Sequence, residues 1–307
     1  MSPLPGPPTL DQLFRRFPGL ARALDGLAAA ARSEAPLLLL GEGGCGRSTL
    51  ARAVHASSPR AAAPLVEVDP ATIPAGLFES NLFGHRAGAF TGADVAAEGR
   101  VARADGGTLV LDHVEEIPVA AQPKLLRLLA EKRYRPLGGE ERPADVRFVT
   151  LAGEQLPERV RQGAFRGDLY YRLEVLAFRV PPLRERLDDL PALLDELLAE
   201  LAERLGRPPC RLSPRALEWI RRHPWPGNLR ELRNLLEREV ILARGEVLDP
   251  APTATGTDAR PRPLAEIERE EIRKALAFTR GHQGRAAELL GISRKALWEK
   301  RKRMGIP

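Results

Sequence analysis

The sequence has 307 residues, room for roughly two domains, and its 43% hydrophobic content is typical of globular proteins that bury a full core. It has only two cysteines, no secretory leader and no apolar run near the roughly 18 residues of a membrane helix, so we expect a cytoplasmic protein without membrane spans, a disulfide framework or a zinc site. The segment from Arg280 to Pro307, with eight basic and two acidic residues, carries the whole net charge of +6, so a polyanion is expected to bind there.

The first two thirds of the chain alternate predicted strands and helices. Residues 1–9 are proline-rich, too few for a separate input domain, and predicted to be disordered. Leu10 to Ala31 has helical periodicity, and the apolar stretch before Gly41 predicts a buried strand followed by a helix. Two more apolar strands are predicted to end at Asp112 and near Gly153. This alternation predicts an α/β fold with a parallel sheet, for residues 10–183.

The last third is predicted to be helical. Helices alone are expected from Leu187 to Arg244, and residues 184–247 are predicted to form a smaller subdomain. Residues 248–263 have the proline, threonine and glycine content of a linker. Residues 264–307 are predicted to form a separate small all-α domain.

A glycine-rich loop, GEGGCGRST, stands between the first predicted strand and helix. Its backbone N–H groups and the positive end of the helix can bind phosphates; a turn without function is the alternative, which the flanking strand and helix disfavour. Asp112 follows the next strand, where a carboxylate can hold Mg²⁺ together with Ser48. Cys45 is either a redox-sensitive thiol at a helix N-terminus or a tolerated small residue. The predicted nucleotide-binding residues are Gly41, Gly43, Gly44, Cys45, Gly46, Arg47, Ser48 and Thr49.

Five sequence blocks resemble a known family in order and spacing: ESNLFGHRAGAFTGA (residues 79–93), GGTLVLD (106–112), FRGDLYYRL (165–173), PPLRER and WPGNLRELRNLLER. The chain resembles the bacterial AAA+ activators of sigma-54 RNA polymerase. The resemblance implies a P-loop sheet with a helical lid, the cofactors ATP and Mg²⁺, enhancer or operator DNA and sigma-54 RNA polymerase as partners, and a homo- or hetero-oligomer, expected as a hexameric ring. The loop by which such activators touch sigma-54 corresponds to Gly88, Ala89, Phe90, Thr91, Gly92 and Ala93.

Three arginines match catalytic positions of that family. Arg166 and Arg172 resemble arginine fingers, which reach into the nucleotide site of a neighbouring subunit and stabilise phosphoryl charge. Arg230 resembles the sensor II arginine of the lid, which contacts the γ-phosphate in the same subunit. For each of them a surface salt bridge is the alternative interpretation.

The same resemblance exposes three departures in one pocket. The loop lysine is Arg47, the carboxylate expected after the catalytic Asp112 is His113, and the sensor I asparagine is Gly153. Glu115 lies past the strand end and is not expected to take over. We therefore expect ATP binding with weak or absent hydrolysis. The alternatives are a working ATPase that uses His113, and a sigma-54-independent repressor, which the GAFTGA loop disfavours.

The basic tail resembles the Fis-type helix-turn-helix of these activators. Its recognition helix is expected from about Ser293 to Arg303, with its N-terminal residues in the major groove; a solvated basic face is the alternative. The predicted core residues are Ala286, Leu289, Leu290, Ile292 and Leu297. The predicted base contacts are Ser293, Arg294 and Lys295, and the predicted phosphate contacts are Lys302 and Arg303.

Overall fold

The computed structural model describes residues 7–243, 245–250, 264–279 and 281–304. The chain divides into two compact units, residues 1–250 and 251–307. Most of the predicted disordered segment 1–9 and of the predicted linker 248–263 lies outside the described residues. No helix within the described ranges has the length and apolar character that crossing a bilayer requires.

A five-stranded parallel sheet is the centre of the first unit. The strands of the chain are β1 (Leu37–Leu40), β2 (Leu65–Val68), β3 (Gly84–His85), β4 (Ala97–Glu98), β5 (Thr108–Leu111), β6 (Arg133–Tyr134), β7 (Arg142–Pro143), β8 (Arg147–Ala152), β9 (Leu176–Arg179), β10 (Arg211–Leu212) and β11 (Val247–Leu248). The sheet order is β2, β5, β8, β1, β9, with parallel pairing throughout. The predicted parallel α/β fold is confirmed.

Helices pack on both faces of this sheet. Helices also make up most of residues 184–248 and all of the described second unit. They are α1 (Leu10–Arg16), α2 (Pro18–Ala23), α3 (Leu27–Ala31), α4 (Arg47–Ala56), α5 (Ala75–Phe83), α6 (Arg100–Arg103), α7 (Gln122–Glu131), α8 (Leu156–Arg161), α9 (Gly167–Leu173), α10 (Leu190–Arg204), α11 (Pro214–Arg222), α12 (Asn228–Leu242), α13 (Leu264–Phe278), α14 (Gln283–Leu289) and α15 (Arg294–Met304). Pro18 and Gly26 divide the predicted N-terminal helical stretch into three helices.

Strand β1, an interior strand of the sheet, contributes to two apolar cores. Leu37 and Leu39 pack into a core that includes the N-terminal helices α1–α3 and residues 184–248, which we call the lid, whereas Leu38 packs into the core on the opposite face. This alternation is the two-residue period of a strand that is buried on both sides. The lid therefore shares one continuous core with the face of the sheet on which Leu37 and Leu39 lie.

The lid is not purely helical, contrary to the sequence-based prediction. Strand β10 pairs in parallel with β11, so the lid contains a two-stranded sheet of two residue pairs. Such short strands leave no detectable alternation in the sequence, which is why periodicity misses them.

The second unit is a three-helix body around a small apolar core. Ala286 and Leu297 are buried, and Leu290 and Ile292 pack against them, as predicted. The prediction for Leu289 is wrong, since its side chain is 59% exposed. Ala286 and Leu290 are four residues apart and lie on the same apolar face of the helix. Leu289 is one position before Leu290 and therefore points away from that face.

Candidate nucleotide site and DNA interface

The glycine-rich loop joins β1 to α4 and is packed against the lid. Gly44 and Gly46 have positive φ angles of 75° and 106°, a left-handed conformation that favours glycine. A Cβ atom on Gly44 would lie 2.5 Å from the carbonyl oxygen of Gly227, so only glycine fits this contact with the lid. The loop leaves the backbone N–H groups at the start of α4 available for an anion.

A cavity of about 360 Å³ lies between this loop and the lid. A second cavity of about 290 Å³ shares part of its wall and is lined mainly by apolar side chains, among them Leu13, Phe17 and Leu50. One cavity therefore suits phosphates and the other an apolar ring system such as a nucleobase. The larger cavity is lined by Gly43, Gly44, Gly46, Arg47, Ser48, Thr49, Asp112, His113, Leu193, Leu197, Leu229, Arg230 and Arg233.

Arg47 carries a buried positive charge with an unused donor. Its side chain is 8% exposed, and its Nη1 has no hydrogen-bond partner among the described residues. An unpaired buried donor is costly, and an anion in the adjacent cavity would satisfy it. Arg230 lines the same cavity from the lid and is exposed, without a recorded ion pair to any described residue.

Asp112 and Ser48 bring two oxygen ligands together at the phosphate end of the cavity. The Ser48 hydroxyl donates to Asp112 Oδ2 at 3.1 Å, and the backbone N–H of His113 donates to Asp112 Oδ1 at 2.9 Å. A hydroxyl and a carboxylate are the hard ligands that Mg²⁺ prefers, usually completed by water and phosphate oxygens. The residues present fit a magnesium site.

The Nδ1 atom of His113 lies near two carboxylates, and it is within hydrogen-bond distance of one of them, Asp69. The backbone of His113 has a φ of 49°, and its Nδ1 lies 3.1 Å from Asp69 Oδ1 and 3.6 Å from Asp112 Oδ1. Asp69 was not predicted, because it comes from the end of β2, far from His113 in sequence. The position after Asp112 thus holds an imidazole fixed by Asp69 rather than a free carboxylate.

Gly153 follows β8, between the strands that lead to Asp112 and to the glycine-rich loop. The backbone N–H of Gly41 donates to Ala152 O at 3.1 Å, so loop and strand end are in direct contact. The backbone N–H of Gly153 donates to Glu115 Oε1 at 2.8 Å. Glu115 is only 3% exposed, a burial that the sequence analysis did not foresee.

The two predicted arginine fingers lie near α9, and neither lines the cavities described above. Arg166 forms a two-pronged ion pair with Asp168, with Nε to Oδ1 at 3.0 Å and Nη2 to Oδ2 at 2.8 Å. Arg172 is exposed and has no recorded partner among the described residues. Arg172 is therefore the more available of the two for a neighbouring molecule.

The lid is fastened to the glycine-rich loop by residues that the sequence analysis did not single out. Buried Asn228 donates through Nδ2 to Glu42 Oε2 at 3.0 Å and to Gly43 O at 3.1 Å. Arg184 pairs with Glu42 and lowers the pKa of that carboxyl to about 2. Arg186 donates to the carbonyl oxygen of Cys45 at 2.6 Å. Both arginines belong to the PPLRER block, which was the available signal.

The Cys45 side chain is packed among apolar residues. It is buried in the apolar core, and this burial raises the pKa of its thiol. A thiolate is therefore disfavoured, and the interpretation of a redox-sensitive thiol is wrong. Cys45 lines the apolar 290 Å³ cavity as a small apolar side chain.

The GAFTGA segment forms a compact loop beyond the β3–β4 hairpin. The N–H of Gly88 donates to Ala93 O at 2.8 Å, which closes the loop, and Gly88 and Gly92 both have positive φ. Phe90 is exposed at its tip, with its ring packed edge-on against His85. Ala93 is buried, whereas Gly88, Phe90, Thr91 and Gly92 are exposed and open to a partner.

The predicted DNA-binding residues follow the exposed side of α15. Arg294, Lys295 and Lys302 are exposed, and Lys302 Nζ lies 5.2 Å from the ring of Trp298. The Ser293 hydroxyl accepts the N–H of Ala296 at 3.1 Å and thus caps the helix. Arg303 lies 3.5 Å from Glu268, which neutralises part of its charge.

Comparisons with known proteins identify the family. The sigma-54 interaction domain matches residues 13–179, the AAA+ ATPase lid domain residues 184–256, and the Fis-family bacterial regulatory domain residues 263–304. The chain is 40% identical to the alginate biosynthesis transcriptional regulatory protein AlgB of Pseudomonas aeruginosa, over 96% of this chain and 68% of AlgB. It is 41% identical to the transcriptional regulatory protein ZraR of Escherichia coli, over 93% of this chain and 67% of ZraR.

The solved structures agree with this assignment. NtrX of Brucella abortus in complex with ATP is 32% identical, with a TM-score of 0.71 over 94% of this chain and 68% of NtrX. The same protein has also been solved in complex with ADP. The chain therefore belongs to the sigma-54-dependent transcriptional regulators, with an AAA+ ATPase domain and a Fis-type helix-turn-helix DNA-binding domain.

Proposed function

We propose that this regulator binds ATP with Mg²⁺ between the glycine-rich loop and the lid, and that it hydrolyses ATP weakly or not at all. The observation that carries the proposal is the buried, unpartnered Nη1 of Arg47 beside the 360 Å³ cavity. A phosphate would satisfy this donor with a charge-assisted hydrogen bond. The complexes of NtrX with ATP and ADP support the choice of ligand.

Ser48 and Asp112 would hold the magnesium ion, which would supply positive charge against the β- and γ-phosphates. Arg230 would bring a second positive charge from the lid. The apolar cavity beside Leu13 and Phe17 would take the base. Binding of the magnesium ion, the phosphates and the base depends on charge and shape, and none of these steps needs a general base.

Hydrolysis, by contrast, needs groups that this pocket lacks. A carboxylate that polarises water is replaced by His113, whose Nδ1 is engaged by Asp69. Gly153 offers no side chain, and Arg47 presents a planar guanidinium where a compact ammonium is expected. Each such loss typically lowers the rate by about 10² to 10³.

The proposal is tested by measuring binding and turnover on one preparation. We expect saturable binding of ATP and ADP with Mg²⁺, and phosphate release at the background rate. Asp112→Ala should weaken Mg²⁺-dependent binding without changing that background. Robust phosphate release that Asp112→Ala abolishes would refute the weak-hydrolysis part of the proposal and favour a working ATPase.

We further propose that the second unit binds enhancer or operator DNA in the cytoplasm, and that the tip of the GAFTGA loop contacts sigma-54. Phe90 and Thr91 are exposed at this tip, whereas the loop ends are fixed by the Gly88 to Ala93 hydrogen bond. A closed loop with an exposed aromatic residue suits a protein contact.

We also propose that the chain assembles, as a ring, with a catalytically intact relative and lends Arg172 to that relative's nucleotide. Arg172 is exposed and makes no ion pair within the described part of the chain, whereas Arg47 and His113 line this chain's own cavity. Mixing the chain with an intact activator from the same cell should raise ATP turnover, and Arg172→Ala should remove the increase, since arginine fingers contribute about 10³-fold or more.

The matched control for Arg172 is Arg161→Ala, which removes an exposed arginine that is paired with Glu158 on α8. This variant should behave like the wild type. Equal turnover with the wild type and Arg172→Ala, or no co-assembly, would leave a DNA-bound antagonist as the better account.

A further inference from the structure

A carboxylate of the lid caps the start of α2. Asp189 Oδ1 accepts from the N–H of Gly19 at 2.6 Å, and Asp189 Oδ2 accepts from the N–H of Leu20 at 2.9 Å. The first N–H groups of a helix have no partner within the helix, and Phe17, the residue before α2, supplies no side-chain hydrogen bond. Asp189 therefore provides a cap that the local sequence lacks, although it lies 170 residues after Gly19.

This contact is buried and closely packed. Asp189 is 1% exposed, and Gly19 and Leu20 are buried as well. A Cβ atom built on Gly19 would lie 3.0 Å from Asp189 Oδ1 and 3.1 Å from Asp189 Cγ. Gly19 has no positive φ, so the space beside the carboxylate favours glycine there, rather than the backbone conformation. A carboxylate that accepts two hydrogen bonds in a buried place has little freedom to move aside.

The capped residues belong to a wall of the apolar cavity that is proposed to take the base. Leu13, Phe17 and Leu20 line this cavity of about 290 Å³. Leu20 links the two features, since its N–H binds Asp189 and the residue lines the cavity. A ligand gains affinity from such a wall only where the two touch, because a gap of about 0.5 to 1 Å already forfeits roughly a quarter to a half of the dispersion attraction.

The same short stretch of the lid also holds the glycine-rich loop. Arg186, three residues before Asp189, donates through Nη2 to the carbonyl oxygen of Cys45 at 2.6 Å and lines the apolar cavity. Its guanidinium is buried, and the charge of Asp189 offsets part of the cost of that burial. Residues 186–189 therefore connect the apolar wall to the loop that is proposed to bind the phosphates.

We propose that Asp189 is a positioning residue for recognition of the nucleobase. The inference rests on the proposed nucleotide binding. Asp189 would not touch the nucleotide; it would hold Phe17 and Leu20 at the distance from the glycine-rich loop that the nucleoside spans. Loss of this carboxylate would therefore remove the contribution of the base to binding and leave the contribution of the phosphates in place.

The test compares the affinities of the full chain for ADP and for inorganic pyrophosphate, both with Mg²⁺. Pyrophosphate lacks the nucleoside, so the ratio of the two affinities measures what the nucleoside contributes. Asp189→Asn places an amide N–H against one of the two backbone N–H groups. It should lower the affinity for ADP about ten-fold and leave the affinity for pyrophosphate unchanged, which also shows that the variant is folded around the phosphates.

The matched control is Asp188→Asn, at the neighbouring position of the chain. The Asp188 carboxylate is exposed and pairs with Arg22 on the surface. This variant should leave both affinities unchanged.

A second variant disturbs the same contact from the side of α2. Gly19→Ala places a Cβ atom against the Asp189 carboxylate and should also lower the affinity for ADP alone. The double variant with Asp189→Asn should bind ADP no more weakly than Asp189→Asn, since substitutions that break one shared contact are not additive.

The inference would be overturned if Asp189→Asn left both affinities unchanged, or lowered both equally as a general loss of structure would. It would also be overturned if the wild type bound ADP no more tightly than pyrophosphate, because the base would then contribute nothing. Failure of the wild type to bind ADP and ATP at all would overturn the proposed function, and the inference with it.

Discussion

Restoring the missing side chains is expected to convert the chain into a measurable ATPase. The combined variant carries Arg47→Lys, His113→Glu with Asp69→Asn, and Gly153→Asn. The change at Asp69 is needed because a glutamate at residue 113 would otherwise face a second carboxylate where His113 now lies 3.1 Å away. Water positioning and charge stabilisation contribute about 10² to 10³ each, so phosphate release should rise by at least about 10³ over the wild type.

The control for this experiment is the same variant with Asp112→Ala, which should return to background. Nucleotide affinity should be measured on all forms, so that a change in turnover is separated from a change in binding. If the combined variant bound ATP as well as the wild type and released phosphate no faster, the departures would not be what limits hydrolysis.

DNA affinity is expected to reside in the second unit and to fall steeply with salt. A chain that ends at Leu248 lacks the whole segment that carries the net positive charge, and should lose about 10³-fold or more in affinity. For the full chain, the logarithm of the affinity should fall linearly with the logarithm of the salt concentration, by roughly one counterion per phosphate contact. Titration of labelled operator DNA at several salt concentrations measures both effects.

Arg294→Ala should cost about 1 to 3 kcal/mol of DNA binding and relax sequence preference at one position, if its guanidinium reaches a base edge. Arg269→Ala on α13 is the matched control, because it removes an exposed arginine outside the recognition helix. A truncated chain that binds operator DNA as tightly as the full chain would contradict the assignment of the second unit.

Local sequence patterns predicted much of the fold. The all-leucine run of β1, the apolar strand before Asp112 and the strand before Gly153 are continuous apolar segments of the kind found in parallel sheets, and each was found at the predicted place. Strand β9 was missed because its residues are alternately half-buried and exposed at the edge of the sheet. The domain boundaries and the roles of the site residues stay predictions.

What the sequence could not reveal is how distant side chains pair. The contact of His113 with Asp69 joins residues from two different strand ends, and Asn228 bonds Glu42, which is 186 residues away in the sequence. The burial of Glu115 depends on the end of β8, which local periodicity does not report. Such pairs decide the chemistry of the pocket, because they determine which donors and acceptors remain free for a ligand.

The contacts between the lid and the glycine-rich loop bear on how quickly a bound nucleotide could be exchanged. Asn228 has a φ of 52° and is held in this left-handed conformation while it bonds Glu42 and Gly43, and Gly44 leaves no room against Gly227. If a nucleotide binds between the loop and the lid, as proposed, its release would require these contacts to separate, since they share one short stretch of backbone. Its residence time would then be set by a local opening of the lid. If the chain does not cleave ATP, as proposed, that opening would be the step by which one bound nucleotide is exchanged for another.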